Sequence, residues 1–423
     1  MIEKKALVIA LGNGLEFYDF MLYGILAPIF APLFFPHDNH FISLLMAYTL
    51  IAVGYIIRPL GVFLWGHIAD KRGRKPVLII TISLMAISAT IIAILPTYNS
   101  IGMIAPLILL VCRVTQGLAY AGEMPTSRAA LYEIAPSGQK IRYTSYSEIS
   151  TVTGAVTACL IVLLFTWIMP QSMFQNWGWR IPFAISVAII IYLGYIRSIA
   201  LETLPKINHK VTNFPVFSAL KYQWKSVLRI MLIESPLSIC FYTLTFYLPN
   251  VLQDLMGFSI LGSLTLLSIS LIILLLFLPL MIKIAKNLHV LYQVGTALMG
   301  MCLTSFLAFK FVQSQSICGI IISMISICFF LSMYLPKYAL LVAKQSSNHL
   351  RASTIGLGLN IAIAIFGGTT PMVNTYLQST LNIYYAPSLY LLIMSVIAIF
   401  IIRSVPQVNS ENWENNYAYQ FSQ

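Results

Sequence analysis

Two acidic residues lie inside an apolar segment near the start of this sequence. Residues 11–20 read LGNGLEFYDF within an apolar run from Ala6 to about Phe35, so Glu16 and Asp19 fall well inside that run. A charged group near the centre of a bilayer costs about 2.5–3.5 kcal/mol even on lenient insertion scales. On a helix, residues three positions apart are about 300° apart around the axis and share a face. The spacing therefore predicts two carboxyl groups lining one face, with at least one of them binding and releasing protons.

A third acid belongs to a polar stripe on a later apolar segment. The stripe opens with an R-x-x-Q-G pattern and recurs at helical spacing on one face. Its members are Arg113, Gln116, Tyr120, Glu123 and Ser127. An acid inside a membrane helix is a functional candidate by default, so Glu123 is predicted to be a third proton-coupling residue. The alternative is a structural role, in which a neighbouring serine, threonine or backbone donor satisfies the carboxylate.

Two basic residues also fall inside apolar segments, and each has two interpretations. Arg128 lies five residues after Glu123, about 140° around an ideal helix, although Pro125 can alter that phase. It either faces the interior and binds an anionic group or extends to the membrane surface. Lys337, in YLPKYALLVAK, either meets an acid or a substrate carboxylate or lies nearer the end of its helix than hydropathy suggests. Both are included among the predicted substrate-binding residues.

Aromatic and amide side chains complete the predicted substrate site. Tyr23 follows Asp19 at i+4 on the same helix face, and further aromatic residues lie close to the acids. Such rings either form a cation–π cage for a quaternary ammonium group or only pack in the bundle and at the membrane interface. The other residues predicted to bind substrate are Gln116, Tyr120, Tyr242 and Asn360.

The composition places these residues in a protein that crosses a membrane many times. Of 423 residues, 59% are hydrophobic and 9% are charged, and the mean hydropathy is +0.84. A soluble chain of this length could not cover so much apolar surface with polar residues. A hydrocarbon core of about 30 Å requires about 20 apolar residues per helix, and we predict an all-α membrane protein with twelve transmembrane helices. The predicted spans are 6–34, 42–65, 77–95, 101–125, 143–168, 181–200, 228–250, 260–282, 290–311, 317–343, 353–377 and 384–403.

The distribution of basic residues predicts how these helices are oriented. The net charge is +12, but Lys and Arg gather in alternate loops, and the intervening loops 36–40, 96–102, 169–179 and 379–387 contain none. This positive-inside pattern indicates that both termini are cytoplasmic, in a multi-pass protein of a bacterial inner membrane. It assigns the basic residues to orientation in the lipid bilayer rather than to nucleic-acid binding. The sequence has no nucleotide-binding, metal-ligand or nucleophile–base pattern, so we expect neither an enzyme nor a cofactor.

A break in hydropathy divides the chain into two halves. The stretch 201–227 is basic and contains two prolines, and it separates an N-terminal six-helix bundle (1–200) from a C-terminal one (228–403). The polar residues 404–423 form a predicted cytoplasmic tail. Two six-helix halves joined by a cytoplasmic linker are typical of transporters that hold their substrate near the membrane midplane between repeats.

The loop between the second and third spans carries a recognisable motif. Residues 66–78 read GHIADKRGRKPVL, which resembles the signature loop of the major facilitator superfamily, with its glycines, aspartate and arginine at the expected positions. Glycines allow a tight turn and close helix approach. The aspartate can cap a helix end or pair with a basic group across the halves. The resemblance implies a gate on the cytoplasmic side formed by Arg58, Gly66, Asp70, Gly73, Arg74 and Arg113.

Further motifs are similar to those of the metabolite–proton symporter branch, which includes proline/betaine, ketoglutarate, citrate and shikimate carriers. They are GN-x-x-E-x-x-DF in the first span, IRPLG (57–61), RVTQGLAYAGE (113–123), NWGWRIPF (176–183) and LETLP (201–205). The second copy of the signature loop departs from the pattern. There, PLMIKIAKNLHVL has Ile282, Lys286 and His289 where glycine, aspartate and glycine are expected, so a matching latch in the second half is in doubt.

The resemblance implies a monomeric, proton-coupled symporter that takes up a small organic solute by alternating access. The interior acids and bases suit a carboxylate or zwitterion, such as an organic acid, an amino acid or a betaine. Other interpretations are a proton-driven exporter, an importer of a larger carboxylate-rich metabolite such as a citrate-based siderophore, a facilitator without proton coupling, and a non-transporting sensor. The expected proton-coupling residues are Glu16, Asp19 and Glu123.

Overall fold

Helices account for all the regular structure in the part of the chain that can be described. The computed structural model describes residues 2–36, 40–200, 214–381 and 383–405. Within these ranges, twelve helical units are long and apolar enough to cross a membrane, which confirms the number of spans predicted from hydropathy. Residues 201–213 of the predicted linker and residues 406–423 of the predicted tail lie outside the described residues.

The first six spans, numbered in chain order, make up the N-terminal half. Span 1 is Ile2–Phe34, span 2 combines His40–Ile56 with Arg58–Arg72, span 3 is Arg74–Ile94, span 4 is Ile104–Ile134, span 5 is Lys140–Ile168 and span 6 is Arg180–Ala200. Their connections contain the short helices Tyr98–Ile101 and Gln171–Met173 and the π-helical turn Phe174–Gly178.

The last six spans make up the C-terminal half. Span 7 combines Trp224–Tyr242, the π-helical turn Thr243–Tyr247 and Leu248–Met256. Span 8 is Ile260–Ala285, span 9 is Val290–Gln313 and span 10 is Ile317–Lys344. Span 11 combines Arg351–Ala362, the π-helical turn Ile363–Gly367 and Thr370–Leu381, and it follows a 3-10 turn at Asn348–Leu350. Span 12 is Ala386–Ser404.

The two halves pack against each other along two seams. Within the halves, span 1 packs on span 5 and span 9 packs on span 10; between them, span 2 packs on span 11 and span 5 packs on spans 8 and 10. This arrangement of two six-helix bundles confirms the predicted fold class. A short helix, Pro215–Tyr222, precedes span 7 and packs on spans 2 and 11. We call the end of the bundle at which this helix lies the linker end, and the opposite end the far end.

Several helices extend beyond the limits predicted from hydropathy. Span 2 continues to Arg72, span 4 to Ile134 and span 11 to Leu381, past the predicted ends at residues 65, 125 and 377. A helix satisfies its own backbone hydrogen bonds, so it can continue from the hydrocarbon region into polar surroundings. Hydropathy therefore marks where the chain crosses the apolar core, not where the helix ends.

The two π-helical turns of the C-terminal half are close neighbours. A Cβ atom on Gly367, which ends the turn in span 11, would lie 2.9 Å from Cε2 of Tyr242, which precedes the turn in span 7. Such turns hold one residue more than an α-helical turn, and they occur often at functional sites. The interior of the bundle next to these two turns is therefore a candidate location for a functional site.

Candidate functional site

Glu16 and Arg58 form a loose ion pair in the interior of the bundle. Both side chains are buried, and Nη1 of Arg58 lies 3.9 Å from Oε1 of Glu16, beyond hydrogen-bond distance. Among the described residues, neither carboxylate oxygen of Glu16 nor Nε of Arg58 has a hydrogen-bond partner. Buried polar atoms in proteins are nearly always satisfied. The pair therefore has hydrogen-bonding capacity for a further group.

A break in span 2 brings Arg58 to this position. The helix His40–Ile56 ends there and the helix Arg58–Arg72 begins, with Pro59 in its first turn. Proline lacks a backbone N–H and is favoured at the start of a helix, where that group would have no intrahelical partner. The IRPLG motif thus restarts the helix at the arginine.

Three rings surround the guanidinium of Arg58. Its Cζ atom lies 4.8 Å from the ring centroid of Tyr120, 4.9 Å from that of Tyr55 and 5.8 Å from that of Phe20. Cation–π contacts stabilise a desolvated guanidinium without using its N–H groups. The rings can therefore hold Arg58 in the interior while its donors remain available.

Six aromatic side chains from both halves lie next to this pair on the side of the far end. We call Phe17, Phe20, Tyr55, Phe241, Tyr242 and Phe246 the aromatic seal. Across the halves, the ring centroids of Phe17 and Phe241 are 6.0 Å apart, and that of Phe20 is 5.7 Å from that of Phe246. These contacts are edge-to-face, a favourable aromatic geometry. The predicted substrate residue Tyr242 belongs to this seal.

Glycines let the helix backbones approach the aromatic seal. A Cβ atom on Gly24 of span 1 would lie 2.3 Å from Cε1 of Phe246, and one on Gly368 of span 11 would lie 3.0 Å from Cδ2 of Tyr55. Both distances are shorter than ordinary carbon–carbon contact. The seal is therefore packed directly against backbone, with no room for an additional side chain.

Asp19 lies one helical turn from Glu16 but has a different partner. Ser186 of span 6 donates a hydrogen bond of 2.5 Å to Oδ1 of Asp19, whereas Oδ2 has no partner among the described residues. Arg113 and Tyr120 lie near enough to interact electrostatically with this carboxyl. The structure thus brings the two predicted acids into one region and directs them toward spans 2 and 6.

Arg113 and Gln116 line the same region from span 4. The Cζ atom of Arg113 lies 4.2 Å from the ring centroid of Tyr23, and its Nη1 donates a 3.0 Å hydrogen bond to Oε1 of Gln116. The hydroxyls of Tyr23 and Tyr120 and Nε2 of Gln116 have no partner in the described part of the chain. Three of the predicted substrate-binding residues are therefore together, with unused hydrogen-bonding groups.

The positions of two predicted gate residues need correction. The family resemblance grouped Arg58 and Arg113 with the cytoplasmic gate, but the structure places Arg58 beside Glu16 and Arg113 against Tyr23. Arg58 lies near the middle of span 2 and Arg113 in the first third of span 4. Stacking on aromatic rings makes burial of a guanidinium tolerable at both positions. They belong to the interior region rather than to the linker end.

Glu123 is fully buried in an ion pair with Arg197 of span 6. Nη2 of Arg197 lies 2.5 Å from Oε1 of Glu123 and Nη1 lies 3.1 Å from Oε2, which the hydroxyl of Thr81 also contacts at 2.8 Å. Arg197 donates further hydrogen bonds to the backbone carbonyls of Leu78 and Ile9. A buried pair with both partners satisfied is typical of a structural ion pair. The geometry favours this alternative over the predicted proton-coupling role of Glu123.

Arg128 faces the interior, which decides between its two interpretations. It is 4% exposed, and its Nη2 lies 2.8 Å from Oε1 of Glu148 on span 5. Its Nη1 donates a 2.6 Å hydrogen bond to the hydroxyl of Tyr338 on span 10, which in turn donates to the carboxylate of Glu234 on span 7. We call Glu148, Arg128, Tyr338 and Glu234 the cross-half chain. Binding of a substrate by Arg128 would require one of these contacts to break.

Asn13 of the first-span motif connects span 1 to the cross-half chain. Its Nδ2 donates a 2.6 Å hydrogen bond to Oγ of Ser147, to which Nε of Arg128 also donates at 3.4 Å. Oγ of Ser127 lies 2.8 Å from Oδ1 of Asn13. Asn13 lies three residues before Glu16, so the GN-x-x-E pattern ties the helix that carries the acid to the neighbours of Arg128.

Gly14 of the same motif allows close contact between spans 1 and 5. Its backbone N–H donates a 3.1 Å hydrogen bond to Oγ of Ser150, and a Cβ atom on Gly154 would lie 1.8 Å from the carbonyl oxygen of Gly14. Only a residue without a side chain fits at such a backbone crossing. Span 1 therefore approaches span 5 closely at Gly14.

Lys337 does not join the region around Glu16. It is buried within span 10 and makes no hydrogen bond or ion pair with any other described residue. Lys337 is about 100° around the helix from Tyr338 and in line with Met333 at i−4, whose sulfur contacts Thr296 of span 9 at 3.8 Å. Its predicted role in substrate binding has no support in this geometry.

Asn360 joins the halves instead of facing an open site. Its Nδ2 donates hydrogen bonds to the carbonyl oxygens of Gly356 at 2.9 Å and Ala121 of span 4 at 3.4 Å. The side chain is buried, and its donors are used within the seam between spans 4 and 11. A contact of this kind stabilises the packing of the two halves and leaves the predicted substrate contact without a free donor.

Asp70 of span 2 caps the start of span 11 across the halves at the linker end. Its two carboxylate oxygens accept hydrogen bonds from the backbone N–H groups of Ala352 at 3.1 Å and Ser353 at 2.9 Å. A carboxylate at a helix N-terminus satisfies free N–H groups and faces the positive end of the helix dipole. Arg74 donates a 2.7 Å hydrogen bond to Asp70 from the same half. The predicted helix cap is present, whereas the basic partner is not from the other half.

Glu133 adds a second contact between the halves at this end. It accepts hydrogen bonds from Arg74 at 2.9 and 3.3 Å and forms an ion pair of 3.3 Å with Arg351 of span 11. We call Asp70, Arg74, Glu133 and Arg351 the linker-end latch. These four side chains hold the C-terminal ends of spans 2 and 4 against the N-terminal end of span 11.

The signature glycines shape this end of the molecule. A Cβ atom on Gly66 would lie 3.0 Å from Oγ of Ser353, so Gly66 keeps span 2 close to span 11. Gly73 has a φ of 96°, a conformation that favours glycine, and it ends the helix Arg58–Arg72. In the second copy, the side chains of Ile282, Lys286 and His289 make no hydrogen bond or ion pair within the described residues. The linker-end latch described above thus lies at the seam of spans 2 and 4 with span 11.

Sequence reasoning overlooked three residues of these networks. Arg197 and Glu148 are charged residues within the predicted spans 181–200 and 143–168, and the cost of placing charge in a membrane is the signal that marks them. Tyr338 has no comparable signal, because a tyrosine in an apolar segment is ordinary. Its importance depends on Arg128, which is 210 positions away in the sequence.

Comparisons with known proteins agree with this geometry. Residues 10–371 match the family model of the Major Facilitator Superfamily. A protein of Staphylococcus haemolyticus named "Putative proline/betaine transporter" is 30% identical over 411 residues, which cover 95% of this chain and 86% of that protein. The alpha-ketoglutarate permease of Escherichia coli is 28% identical over 400 residues, covering 92% and 90%. A structure of the proton:xylose symporter XylE shares the fold, with a TM-score of 0.80 at 18% identity, covering 99% of this chain and 98% of that one.

Proposed function

Because the chain belongs to the Major Facilitator Superfamily, we propose that it is a proton-coupled symporter that imports a small carboxylate-bearing solute, foremost a zwitterion. It exposes a central site alternately to the two sides of a bacterial inner membrane. The basic loops support a cytoplasmic position for the linker end. The observation that carries the proposal is the buried Glu16–Arg58 pair, whose hydrogen-bonding groups are unused.

A zwitterion fits the groups around this pair. The substrate carboxylate accepts hydrogen bonds from the free N–H groups of Arg58 and from the hydroxyl of Tyr120. The cationic nitrogen lies against the rings of the aromatic seal, as in known sites for quaternary ammonium groups. The names of the relatives support a carboxylate, since proline, betaine and α-ketoglutarate all carry one. Only proline and betaine also carry the positive nitrogen that the rings would bind.

Glu16 is the proposed proton carrier. An ionised carboxylate needs hydrogen-bond donors when it is buried, and neither oxygen of Glu16 has one among the described residues. Protonation of Glu16 leaves Arg58 without a compensating charge, and Arg58 then attracts the substrate carboxylate. Proton binding and substrate binding thereby favour each other, as coupling requires. Asp19, which accepts a hydrogen bond from Ser186, is the second candidate.

Transport into proteoliposomes tests this proposal. With an imposed inward proton gradient, the wild type is expected to accumulate labelled proline or glycine betaine, and a protonophore is expected to abolish accumulation. Glu16→Gln is expected to retain exchange of labelled for unlabelled solute and to lose accumulation. Asp254→Asn is the matched control, because Asp254 is an exposed acid at the end of span 7. If Glu16→Gln still accumulates solute with unchanged pH dependence, a residue other than Glu16 carries the proton. Efflux of solute measured with inside-out vesicles would indicate an exporter.

Recognition of the carboxylate has its own test. Tyr120→Phe removes one hydroxyl but keeps the ring that stacks on Arg58. The dissociation constant of the zwitterion, measured by calorimetry, is expected to rise about two- to tenfold, as for loss of one hydrogen bond. Tyr195→Phe, at an exposed tyrosine of span 6, is expected to leave it unchanged. Equal affinity of both variants would exclude the Tyr120 hydroxyl from the site.

A further inference from the structure

The cross-half chain contains two carboxyl groups and one guanidinium. All four of its residues are buried. Glu148 contacts Arg128 directly at 2.8 Å, whereas Glu234 reaches Arg128 only through the hydroxyl of Tyr338. The second oxygen of Glu234 accepts a 2.8 Å hydrogen bond from Ser238. One buried cation therefore serves two buried acids that come from opposite halves.

Among the described residues, none of the groups that interact with Glu234 is a second cation. In the part of the chain that the structure describes, the titratable and charged groups that interact with Glu234 are Arg128, Glu148, Tyr242, Tyr334 and Tyr338. The hydroxyl of Tyr334 donates to the carbonyl of Ile233. The guanidiniums of Arg197 and Arg58 are used elsewhere, on Glu123 and beside Glu16. Two ionised acids would leave an excess negative charge in the interior, which is costly.

We propose that Glu234 is a second proton-binding site, in the C-terminal half, and that its protonation loosens the contact between the halves. The inference rests on the proposed proton-coupled transport and adds a carboxyl outside the region of Glu16. Glu148 keeps its charge because it touches the guanidinium of Arg128 directly. Glu234 is separated from that guanidinium by a phenol, so it is the acid whose neutralisation removes the excess charge.

The direction of the hydrogen bonds connects protonation to the contact between halves. Tyr338 has a single hydroxyl proton. While Glu234 is ionised, that proton is donated to Glu234 and the phenol oxygen accepts from Arg128, so both hydrogen-bonding functions of Tyr338 are used. When the proton of Glu234 lies on Oε2, the oxygen that Tyr338 contacts, that O–H donates to the phenol oxygen. The hydroxyl proton of Tyr338 must then turn away into apolar surroundings, where a donor without a partner is unfavourable.

Protonation therefore weakens the contact of Tyr338 on span 10 with Arg128 on span 4, which joins the two halves. The same guanidinium shares Ser147 with Asn13, one turn before Glu16. Side-chain contacts thus connect the guanidinium of the cross-half chain to Asn13, on the helix that carries Glu16. Protonation of Glu234 thus weakens a contact between the halves, whereas protonation of Glu16 favours binding of the substrate carboxylate to Arg58.

Infrared difference spectra of the full-length protein in lipid, recorded between acidic and alkaline pH, test the assignment without substrate. The wild type is expected to show a carboxyl C=O band that titrates and is absent from Glu234→Gln. Tyr338→Phe keeps the carboxyl and removes the bridging hydroxyl, so the band is expected to remain with a changed midpoint. Asp254→Asn and Glu16→Gln are expected to retain the band, which separates this site from exposed acids and from the proposed function.

Three results would overturn the inference. They are an unchanged spectrum in Glu234→Gln, loss of the band in Glu148→Gln instead, and an unchanged midpoint in Tyr338→Phe. Tyr338→Phe removes only one hydroxyl and keeps the aromatic ring. It therefore still tests the inference if Glu234→Gln does not fold. In transport, Glu234→Gln is expected to retain solute exchange and to lower proton-driven accumulation at least tenfold. If the wild type itself fails to accumulate solute while the band titrates, the proposed function fails and the proton site stands.

Discussion

The guanidinium of Arg197 occupies the space in which a side chain on Gly12 would begin. A Cβ atom on Gly12 would lie 2.0 Å from Nη2 of Arg197 and 2.0 Å from Oε1 of Glu123. No carbon atom can approach these atoms so closely without displacing them. The first glycine of the span 1 motif is therefore required by an ion pair that lies on spans 4 and 6.

Replacement of this glycine is expected to destabilise the protein. Gly12→Ala forces the buried pair or the helix backbone to move, which should lower the free energy of unfolding by about 1–3 kcal/mol, as for other overpacked cores. Gly194→Ala is the matched control, because no atom lies within 4 Å of its added methyl group. Thermal unfolding in detergent compares the two variants. Equal melting temperatures would show that the interior around Gly12 adapts without cost.

Neutralising Glu123 is expected to act on stability rather than on coupling. Glu123→Gln leaves Arg197 buried without a counter-charge, which should cost about 3–5 kcal/mol. Replacing both residues with methionine should restore much of that loss, because a well-packed apolar pair removes both charges. Thermal unfolding measures the double-mutant cycle, and transport is compared per folded molecule. If the Glu123→Gln variant is stable but no longer accumulates solute, Glu123 takes part in proton coupling, as the sequence predicts.

Loss of the cap on span 11 is expected to loosen the linker end. Asp70→Ala removes the acceptor of the Ala352 and Ser353 N–H groups, and loss of a helix cap costs about 0.5–2 kcal/mol. Hydrogen–deuterium exchange at the start of span 11 should therefore become faster, while exchange in span 12 stays unchanged. Asp254→Ala provides the control for removing an acid. Unaltered exchange at residues 351–354 would mean that Asp70 does not hold this seam closed.

The side chain of Lys337 is expected to be dispensable for binding. It is buried without a hydrogen bond or ion pair among the described residues, and an unpaired polar group costs about 1–3 kcal/mol. Lys337→Met should then raise the melting temperature and leave the affinity for substrate unchanged. Lys310→Met, at an exposed lysine of span 9, should change neither quantity. Weaker substrate binding by Lys337→Met would restore the role that the sequence predicts for it.

Local patterns in the sequence were sufficient for the fold and for one gate contact. Apolar segments of membrane-spanning length gave twelve helices, because the cost of exposing polar backbone in lipid leaves few other structures. The signature loop left two roles for Asp70, a helix cap or a pair with a basic group across the halves. The number of spans is confirmed in the structure, and the hydrogen bonds of Asp70 are those of the first role.

The pairing of the interior charges depends on contacts between distant parts of the chain. Arg128 faces the interior because it pairs there with Glu148 of span 5 and with Tyr338 of span 10. The spacing of residues within span 4 does not predict either contact. Glu123 was one of three predicted proton-coupling acids, yet its environment depends on Arg197 from span 6. The free-energy cost of burying a charge identifies the charged residues that need a partner. Which residue is that partner depends on how the helices pack, and the local sequence does not show it.

The π-helical turns of spans 7 and 11 give the two ends of the bundle different mechanical properties. A π turn holds one surplus residue, and returning it to an α turn rotates everything beyond it by roughly 100°. The turn in span 7 contains Phe246 and follows Tyr242, so such a rewinding would pull these two rings out of register with each other. A local change of winding would therefore alter the contacts at the far end. Among the described residues, the helices that meet at the linker-end latch contain no π turn there, so this end lacks that local means of rearrangement.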